Sequence, residues 1–136
     1  MRKLFNILYI IRNFYKLLLY KNYINFNIFQ KIIQTELNKL ERELKIKNYS
    51  SKTIKSYLYG LREYFSFKFN NYPELDQEDI KNFLLHCEYN KISPQSRNLF
   101  LNAIKFYYRN IAKNIQKIEI QSAKKTKGIT YRFVTN

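Results

Sequence analysis

Apolar residues recur every three or four positions along much of this chain, the spacing that places side chains on one face of an α-helix. Over residues 34–46 the repeat consists of Leu37, Leu40 and Leu44. Asn48-Tyr49-Ser50 interrupts this repeat. Ser50 or Ser51 can accept a hydrogen bond from a backbone amide in the first turn of a following helix. The pattern therefore predicts one helix that ends near residue 46 and a second that begins soon afterwards.

The second helix is predicted to run from about Lys52 to Lys68. Its apolar positions are again spaced by three and four: Ile54, Tyr57, Leu58, Leu61, Tyr64 and Phe65. Polar and basic residues alternate with them: Lys52, Lys55, Ser56, Tyr59 and Arg62. A helix of this kind buries its apolar face and turns the other face outward.

Two capping signals predict a third and a fourth helix. After a loop at Asn70–Pro73, Asp76 is placed to cap the third helix, and Asp79 is placed as in a capping box. That helix ends at Glu88–Lys91, and its core positions are Ile80, Phe83, Leu84 and Cys87. Ser93-Pro94 begins the fourth, because proline is well tolerated at the first helical position.

The fourth helix is predicted to run from Pro94 to about Ala112. Its apolar face consists of Phe100, Ala103, Ile104, Tyr107 and Ile111. Its outer face is assigned Ser96, Arg97, Leu101, Lys105, Tyr108 and Arg109. Lys105 and Arg109 are four residues apart and therefore lie on one side.

Few residues in the chain favour tight turns: there are two glycines and two prolines. Sandwiches and barrels need many turns, so the composition favours long helices. We predict an all-α fold in which four helices over residues 34–113 follow an N-terminal helical arm, residues 1–33, and precede a basic tail, residues 114–136. Within the tail, Ile118–Ile120 and Tyr131–Val134 are candidates for short strands.

Charge is distributed unevenly around a formal net charge of +15. Residues 34–112 contain 13 basic and nine acidic residues, whereas residues 1–33 contain six basic residues and no acidic one. An excess of basic residues suggests an anionic partner, either nucleic acid or an acidic membrane surface. However, more than half of the chain consists of residue types with AT-rich codons: Lys, Asn, Ile, Tyr and Phe. Because an AT-rich genome would make many proteins basic, the distribution of the charge is more informative than its total.

The N-terminal arm has three interpretations. Its longest uncharged run, Leu4–Ile11, is too short for a transmembrane helix, which needs about 20 apolar residues. The arm either packs on the domain or is loosely ordered, or it lies on a membrane as an amphipathic helix, or it is a signal peptide. We favour the first interpretation and do not expect a membrane partner. A signal peptide is disfavoured because no small-residue cleavage site follows the apolar run.

The chain has one cysteine, Cys87, and one histidine, His86. An internal disulfide and a cysteine-based zinc site are therefore excluded, and we expect neither a metal nor another cofactor. We interpret Cys87 as a core or boundary thiol beside a surface imidazole. A lone thiol fits a reducing cytoplasm.

The neighbouring acidic residues Asp76, Glu78 and Asp79 are explained by helix capping and the helix dipole rather than by catalysis.

The ordered motifs resemble one known domain. They are Leu37-x-x-Leu40-x-x-x-Leu44, then Asn48-Tyr49-Ser50-x-x-Thr53-Ile54-x-x-Tyr57, an acidic capped turn at Asp76-x-x-Asp79, and Ser93-Pro94-x-Ser96-x-Asn98. From about Gln34 to Lys113 the pattern resembles the N-terminal core-binding domain of the tyrosine recombinases, the phage-integrase family. This SAM-like helical domain clamps one side of a DNA duplex.

The resemblance implies that the second and fourth helices face double-stranded DNA. It assigns DNA binding to eight residues: Lys52, Thr53, Lys55, Ser56, Ser96, Arg97, Lys105 and Arg109. The basic side chains would neutralise phosphates, and the hydroxyls would add hydrogen bonds that position the duplex. For Thr53 a role in the helix cap is an equal alternative.

The resemblance leaves catalysis unaccounted for. In the family a following domain supplies two arginines, a lysine, histidines and a tyrosine nucleophile, and here no histidine follows His86. We therefore expect this chain alone not to cleave DNA and to be a monomer in solution. It is either a truncated recombinase or part of a split one that works with a separately encoded catalytic domain or recombinase protomer. The alternative is a helical protein that uses its N-terminal arm to bind a membrane surface or a partner.

Overall fold

The computed structural model describes residues 2–68 and 74–124, and throughout these ranges the regular structure is helical. The helices are α1 (Arg2–Ile46), α2 (Ser51–Phe67), α3 (Gln77–Tyr89) and α4 (Pro94–Phe106), and a π-helical turn continues α4 over Tyr107–Ile111. The predicted all-α fold is confirmed. The loop predicted at Asn70–Pro73 and the strand predicted at Tyr131–Val134 lie outside the described residues.

The predicted capping residues begin three of the helices. Ser50 Oγ accepts a hydrogen bond from Thr53 N at 3.2 Å, and Ser93 Oγ accepts one from Ser96 N at 3.2 Å. Asp76 Oδ1 accepts from Glu78 N at 2.8 Å. Each bond satisfies an amide that has no partner within its own helix.

Two helices end in the same way although neither has a glycine there. Asn48 and Lys91 adopt left-handed backbone angles, with φ of 59° and 61°. The following amides, Tyr49 N and Ile92 N, each donate at 3.0 Å to a carbonyl five residues earlier. This pairing is a Schellman motif, which ends a helix sharply and explains why α1 and α3 stop where the sequence pattern breaks.

The chain divides into two units between Asn38 and Lys39. In the first unit, the large apolar side chains from Leu4 to Phe26 are exposed, whereas Phe29, Ile33 and Leu37 are buried. In the second unit, Leu40 and Leu44 are fully buried.

Aromatic rings form much of the core of the second unit. Helix α4 packs mainly against α2, and the Phe65 and Tyr107 rings meet edge to face with centroids 5.0 Å apart. Two assignments on α4 were wrong: Leu101 and Tyr108 are buried rather than outward-facing. The π turn changes the helical phase after Phe106, so a regular 3.6-residue period misplaces Tyr108.

Lys68 is buried where α2 ends. Its Nζ lies 3.5 Å from Asp79 Oδ2 and 5.4 Å from the centre of the Tyr64 ring, and it donates a hydrogen bond to the Glu74 carbonyl. A buried cation requires such partners. Asp79 therefore connects the start of α3 to the end of α2.

After the π turn the chain folds back along α4 as a segment that we call the C-terminal strap, residues 114–123. Lys105 Nζ donates to the Ile120 carbonyl at 2.6 Å, and Asn98 exchanges two hydrogen bonds with the Ala123 backbone. The strap thus runs antiparallel to α4. The strand predicted at Ile118–Ile120 is wrong, because side chains rather than a neighbouring strand bind this backbone.

Candidate nucleic-acid interface

The first two turns of α2 carry four of the predicted DNA-binding residues. Lys52 and Lys55 are exposed. The Thr53 hydroxyl lies 2.9 Å from Ser50 Oγ, and Ser56 Oγ donates to the Lys52 carbonyl at 3.0 Å. The lysines are therefore open to solvent, whereas the hydroxyls take part in local helix structure.

No acidic residue offsets the lysines at the start of this helix. The first turns of α2 and α4 lack acidic residues, whereas the first turn of α3 contains Glu78 and Asp79. The amide dipoles make a helix N-terminus positive, and Lys52 and Lys55 add to that potential. The local field at the start of α2 therefore favours an anion.

On α4, two predicted residues have partners within the protein. Ser96 Oγ lies 3.1 Å from Ser93 Oγ as part of the helix cap. Arg97 Nη1 lies 3.8 Å from Glu88 Oε2, and only 18% of its side chain is exposed. Arg97 therefore connects α4 to α3, an arrangement that the sequence analysis did not foresee.

The other two predicted residues, Lys105 and Arg109, line a cleft between α4, the π turn and the strap. Its volume is about 470 Å³, and two more basic residues, Lys113 and Lys117, line it as well. The remaining lining residues are uncharged: Tyr108, Asn114, Ile115, Gln116 and Ile118. We call this concavity the basic cleft.

The basic cleft arises because the helix stops. Its four cations are spaced by four residues in the sequence, so in a continuous helix they would form a row about 18 Å long. Instead Lys113 adopts a left-handed φ of 50°, and Asn114 N donates to the Tyr108 carbonyl at 2.8 Å. The chain reverses, and residues from both sides of the reversal line one concavity.

Sequence reasoning missed Lys113 and Lys117 because it placed them at the edge of a basic tail. The four-residue spacing was visible, but the reversal that brings them together was not. Concentrating like charges around a concave surface raises the local positive potential. Oxyanions such as phosphate suit this surface, since lysine and arginine offer several N–H donors each.

A second cleft, of about 360 Å³, contains Cys87, His86 and Glu63. Cys87 is buried and His86 is exposed, as the sequence indicated. Burial raises the pKa of the Cys87 thiol, Glu63 raises it further, and Arg97 opposes them. A raised pKa keeps the sulfur protonated, which is the opposite of what a cysteine nucleophile requires.

Groups of side chains suited to a metal ion were not found within residues 2–68 and 74–124. In comparisons with known proteins, residues 37–118 match a family model described as phage integrase, N-terminal SAM-like domain. The match covers more than half of the chain and confirms the resemblance drawn from its motifs. No curated protein matches the chain significantly.

Proposed function

Because the chain belongs to the phage-integrase family through its N-terminal SAM-like domain, we propose that it grips duplex DNA during recombination or integration. Contact is made mainly with phosphates, through the start of α2 and through the basic cleft. The catalytic residues of strand exchange would come from outside the matched residues 37–118. Under this proposal the chain binds DNA without cleaving it.

The observation that carries the proposal is the gathering of Lys105, Arg109, Lys113 and Lys117 around one concavity. A phosphate backbone presents a regular row of negative charges, and each cation that neutralises one releases a counterion. Such contacts position a protein on DNA without reading its sequence. We therefore expect weak sequence preference and a strong dependence on salt.

Lys105 has a particular place in this arrangement. Its Nζ already donates to the Ile120 carbonyl at 2.6 Å, so it holds the strap against α4 as well as lining the cleft. An ammonium group has three donors, and one bond to the strap leaves capacity for a phosphate oxygen. The proposed DNA contact and the strap thus share one side chain.

The test is duplex binding by the full chain, titrated between about 50 and 200 mM salt, for the wild type and for Arg109→Gln/Lys113→Gln/Lys117→Gln. Each lost phosphate contact lowers the slope of log affinity against log salt by about 0.9. We expect the triple variant to lower the slope by roughly 2–3. Lys105 is kept so that the strap remains attached.

A control of equal charge is Lys3→Gln/Lys21→Gln/Lys31→Gln, which removes three exposed cations from α1. Its slope is expected to stay close to that of the wild type. If both triple variants lowered the slope equally, DNA binding would depend on net charge alone. If neither lowered it, the cations of the basic cleft would not contact phosphates. Either result would contradict the proposed role of the basic cleft. Lys52→Gln/Lys55→Gln tests the α2 contribution in the same titration.

A further inference from the structure

One apolar stripe runs almost the full length of α1. Residues separated by three or four, from Leu4 through Leu8, Ile11, Tyr15 and Leu18 to Phe26, fall in the same angular sector of the helix as the buried residues at its other end. Those buried residues are Phe29, Ile33, Leu37, Leu40 and Leu44. The single polar position in the N-terminal part of this sector is Asn22.

The N-terminal part of the stripe is exposed. Leu8 is 58% exposed, Ile11 47% and Tyr15 65%. Most of the neighbouring aliphatic and aromatic side chains between Leu4 and Phe26 are exposed to a similar degree. A continuous exposed apolar surface of this kind marks a site of association.

The flank of the stripe is basic. Arg12 adjoins one edge of the stripe, and Lys16 lies further round on the same side. Lys3 and Lys21 lie beyond the other edge, Arg2 lies on the opposite side of the helix, and no acidic residue precedes Glu36. Exposed apolar side chains also occur away from the stripe: Phe5, Tyr9, Ile10, Leu17, Tyr20, Tyr23 and Ile24. No helix among the described residues is long and apolar enough to cross a membrane.

These features distinguish between possible occupants. If the arms of two copies of this chain paired as a coiled coil, the charged residues beside the two apolar stripes would face each other. Stable coiled coils place opposite charges at these positions. The arm supplies only positive ones, so a second copy is repelled. DNA accepts the charges but offers no apolar surface for the stripe. An anionic bilayer offers both: an apolar interior for the stripe and negative headgroups for the flank.

We propose that α1 from Leu4 to about Ile24 is a membrane-surface helix that lies in the headgroup region of an anionic lipid bilayer. The apolar stripe enters the acyl boundary, and Arg12, Lys16 and their neighbours pair with acidic headgroups. This would place a DNA-binding unit at a membrane surface. The inference does not depend on the DNA-binding proposal, because the two use different residues.

The test is flotation of the full chain with vesicles of neutral phosphatidylcholine, or of phosphatidylcholine containing about one third phosphatidylserine, which is enough to give a negative surface potential. We expect the chain to float with the anionic vesicles and to bind the neutral ones at least about tenfold more weakly. Leu8→Gln/Ile11→Gln and, separately, Arg12→Glu/Lys16→Glu are each expected to reduce flotation by roughly tenfold or more.

The matched control is Lys52→Glu/Lys55→Glu, which makes the same change in net charge on α2. It should float like the wild type while its duplex binding falls, whereas Arg12→Glu/Lys16→Glu should keep duplex binding. Because the substituted residues are exposed, the thermal midpoints of the variants are expected to be unchanged, which would show that the helical core of each variant still folds.

Three results would overturn the proposal. They are absence of flotation, equal loss from the α2 control, and a concentration-dependent dimer in light scattering that Leu8→Gln/Ile11→Gln abolishes. The last would assign the stripe to a second copy. Loss of duplex binding alone bears only on the DNA proposal.

Discussion

The crossing of α2 and α4 leaves no space for a β-carbon at Gly60. A β-carbon there would lie 2.5 Å from Phe100 Cδ1 and 3.1 Å from Phe100 Cα. The Phe100 ring has little freedom to move, since the Tyr59 and Phe83 rings lie 5.7 and 6.2 Å from it. The glycine thus sets how closely the two helices approach.

Gly60→Ala is therefore expected to destabilise the protein. Alanine favours a helix over glycine by about 1 kcal/mol, but overpacking typically costs about 1–3 kcal/mol, and here the backbone of α4 must shift. We expect a net loss of up to about 2 kcal/mol in the free energy of unfolding, measured in urea. Arg62→Ala, at an exposed α2 position, should stay within about 0.5 kcal/mol of the wild type. A more stable Gly60→Ala would show that α4 moves freely.

The buried Tyr64 hydroxyl makes stability depend on alkaline pH. Burial raises the pKa of this phenol well above its ordinary value of 10.0, and Tyr108 and Asp79 raise it further. Below pH 10 the phenol is neutral in both states, so its contribution to stability is complete. Above pH 10 the unfolded state loses the proton and the folded state keeps it, so stability falls as pH rises.

Tyr64→Phe removes this dependence. The free energy of unfolding of the variant minus that of the wild type is expected to rise between pH 10 and 11, by up to about 1.4 kcal/mol per pH unit. Urea titrations at pH 8, 10 and 11 measure it. Tyr59→Phe, at an exposed position, should follow the wild type. A constant difference between Tyr64→Phe and the wild type at all three values would contradict the assignment.

At the scale of whole elements, the C-terminal strap depends on a few side chains of α3 and α4. Asn98 donates to the Ala123 carbonyl at 3.0 Å and accepts from Ala123 N at 2.7 Å. Gln77 makes a similar pair of bonds with Lys117 and Glu119. These bonds are partly accessible to water, so each contributes modestly.

Asn98→Ala is expected to loosen the strap without unfolding the helices. Two lost hydrogen bonds cost about 1–3 kcal/mol locally, so amide exchange over residues 117–123 should accelerate by roughly tenfold or more. Hydrogen exchange followed by mass spectrometry measures it. Asn102→Ala, exposed on the same helix, should leave the rate unchanged. An unaffected strap in Asn98→Ala would show that Gln77 and Lys105 hold it without help.

The helices were predictable and the strap was not, for one physical reason. The capped starts at Ser50, Asp76 and Ser93 depend on residues within three positions, and the apolar period depends on neighbours three or four apart. The strap depends on Asn98, 25 residues from its partner Ala123, and its backbone bonds to side chains that follow no period. The sequence therefore indicated Lys105 and Arg109 as a basic pair but not the cleft that Lys113 and Lys117 complete.

For the molecule as a whole, positive charge is concentrated towards the two ends of the sequence, and the exposed apolar surface of α1 lies near the N-terminus. The middle of the chain, residues 34–112, is nearly balanced, with 13 basic and nine acidic residues. The first 33 residues contain the exposed stripe of α1, and the basic cleft includes Lys113 and Lys117. The balanced middle of the chain still contributes Lys52, Lys55, Lys105 and Arg109 to the surfaces that suit an anion, so the placement of these cations matters more than the net charge of their segment.

The exposed part of α1 should consequently be dispensable for folding. Side chains from Leu4 to Ile24 lie largely in solvent, and a helical stretch that buries little side-chain surface adds little to the free energy of unfolding. Deletion of residues 2–26 is expected to move the thermal midpoint by no more than a few degrees, about the effect of 0.5 kcal/mol in a domain of this size. Leu40→Ala, at a fully buried position, should cost about 2–5 kcal/mol. If the deletion cost as much as Leu40→Ala, the arm would have to pack against protein in solution, and its apolar stripe would not be available to a bilayer.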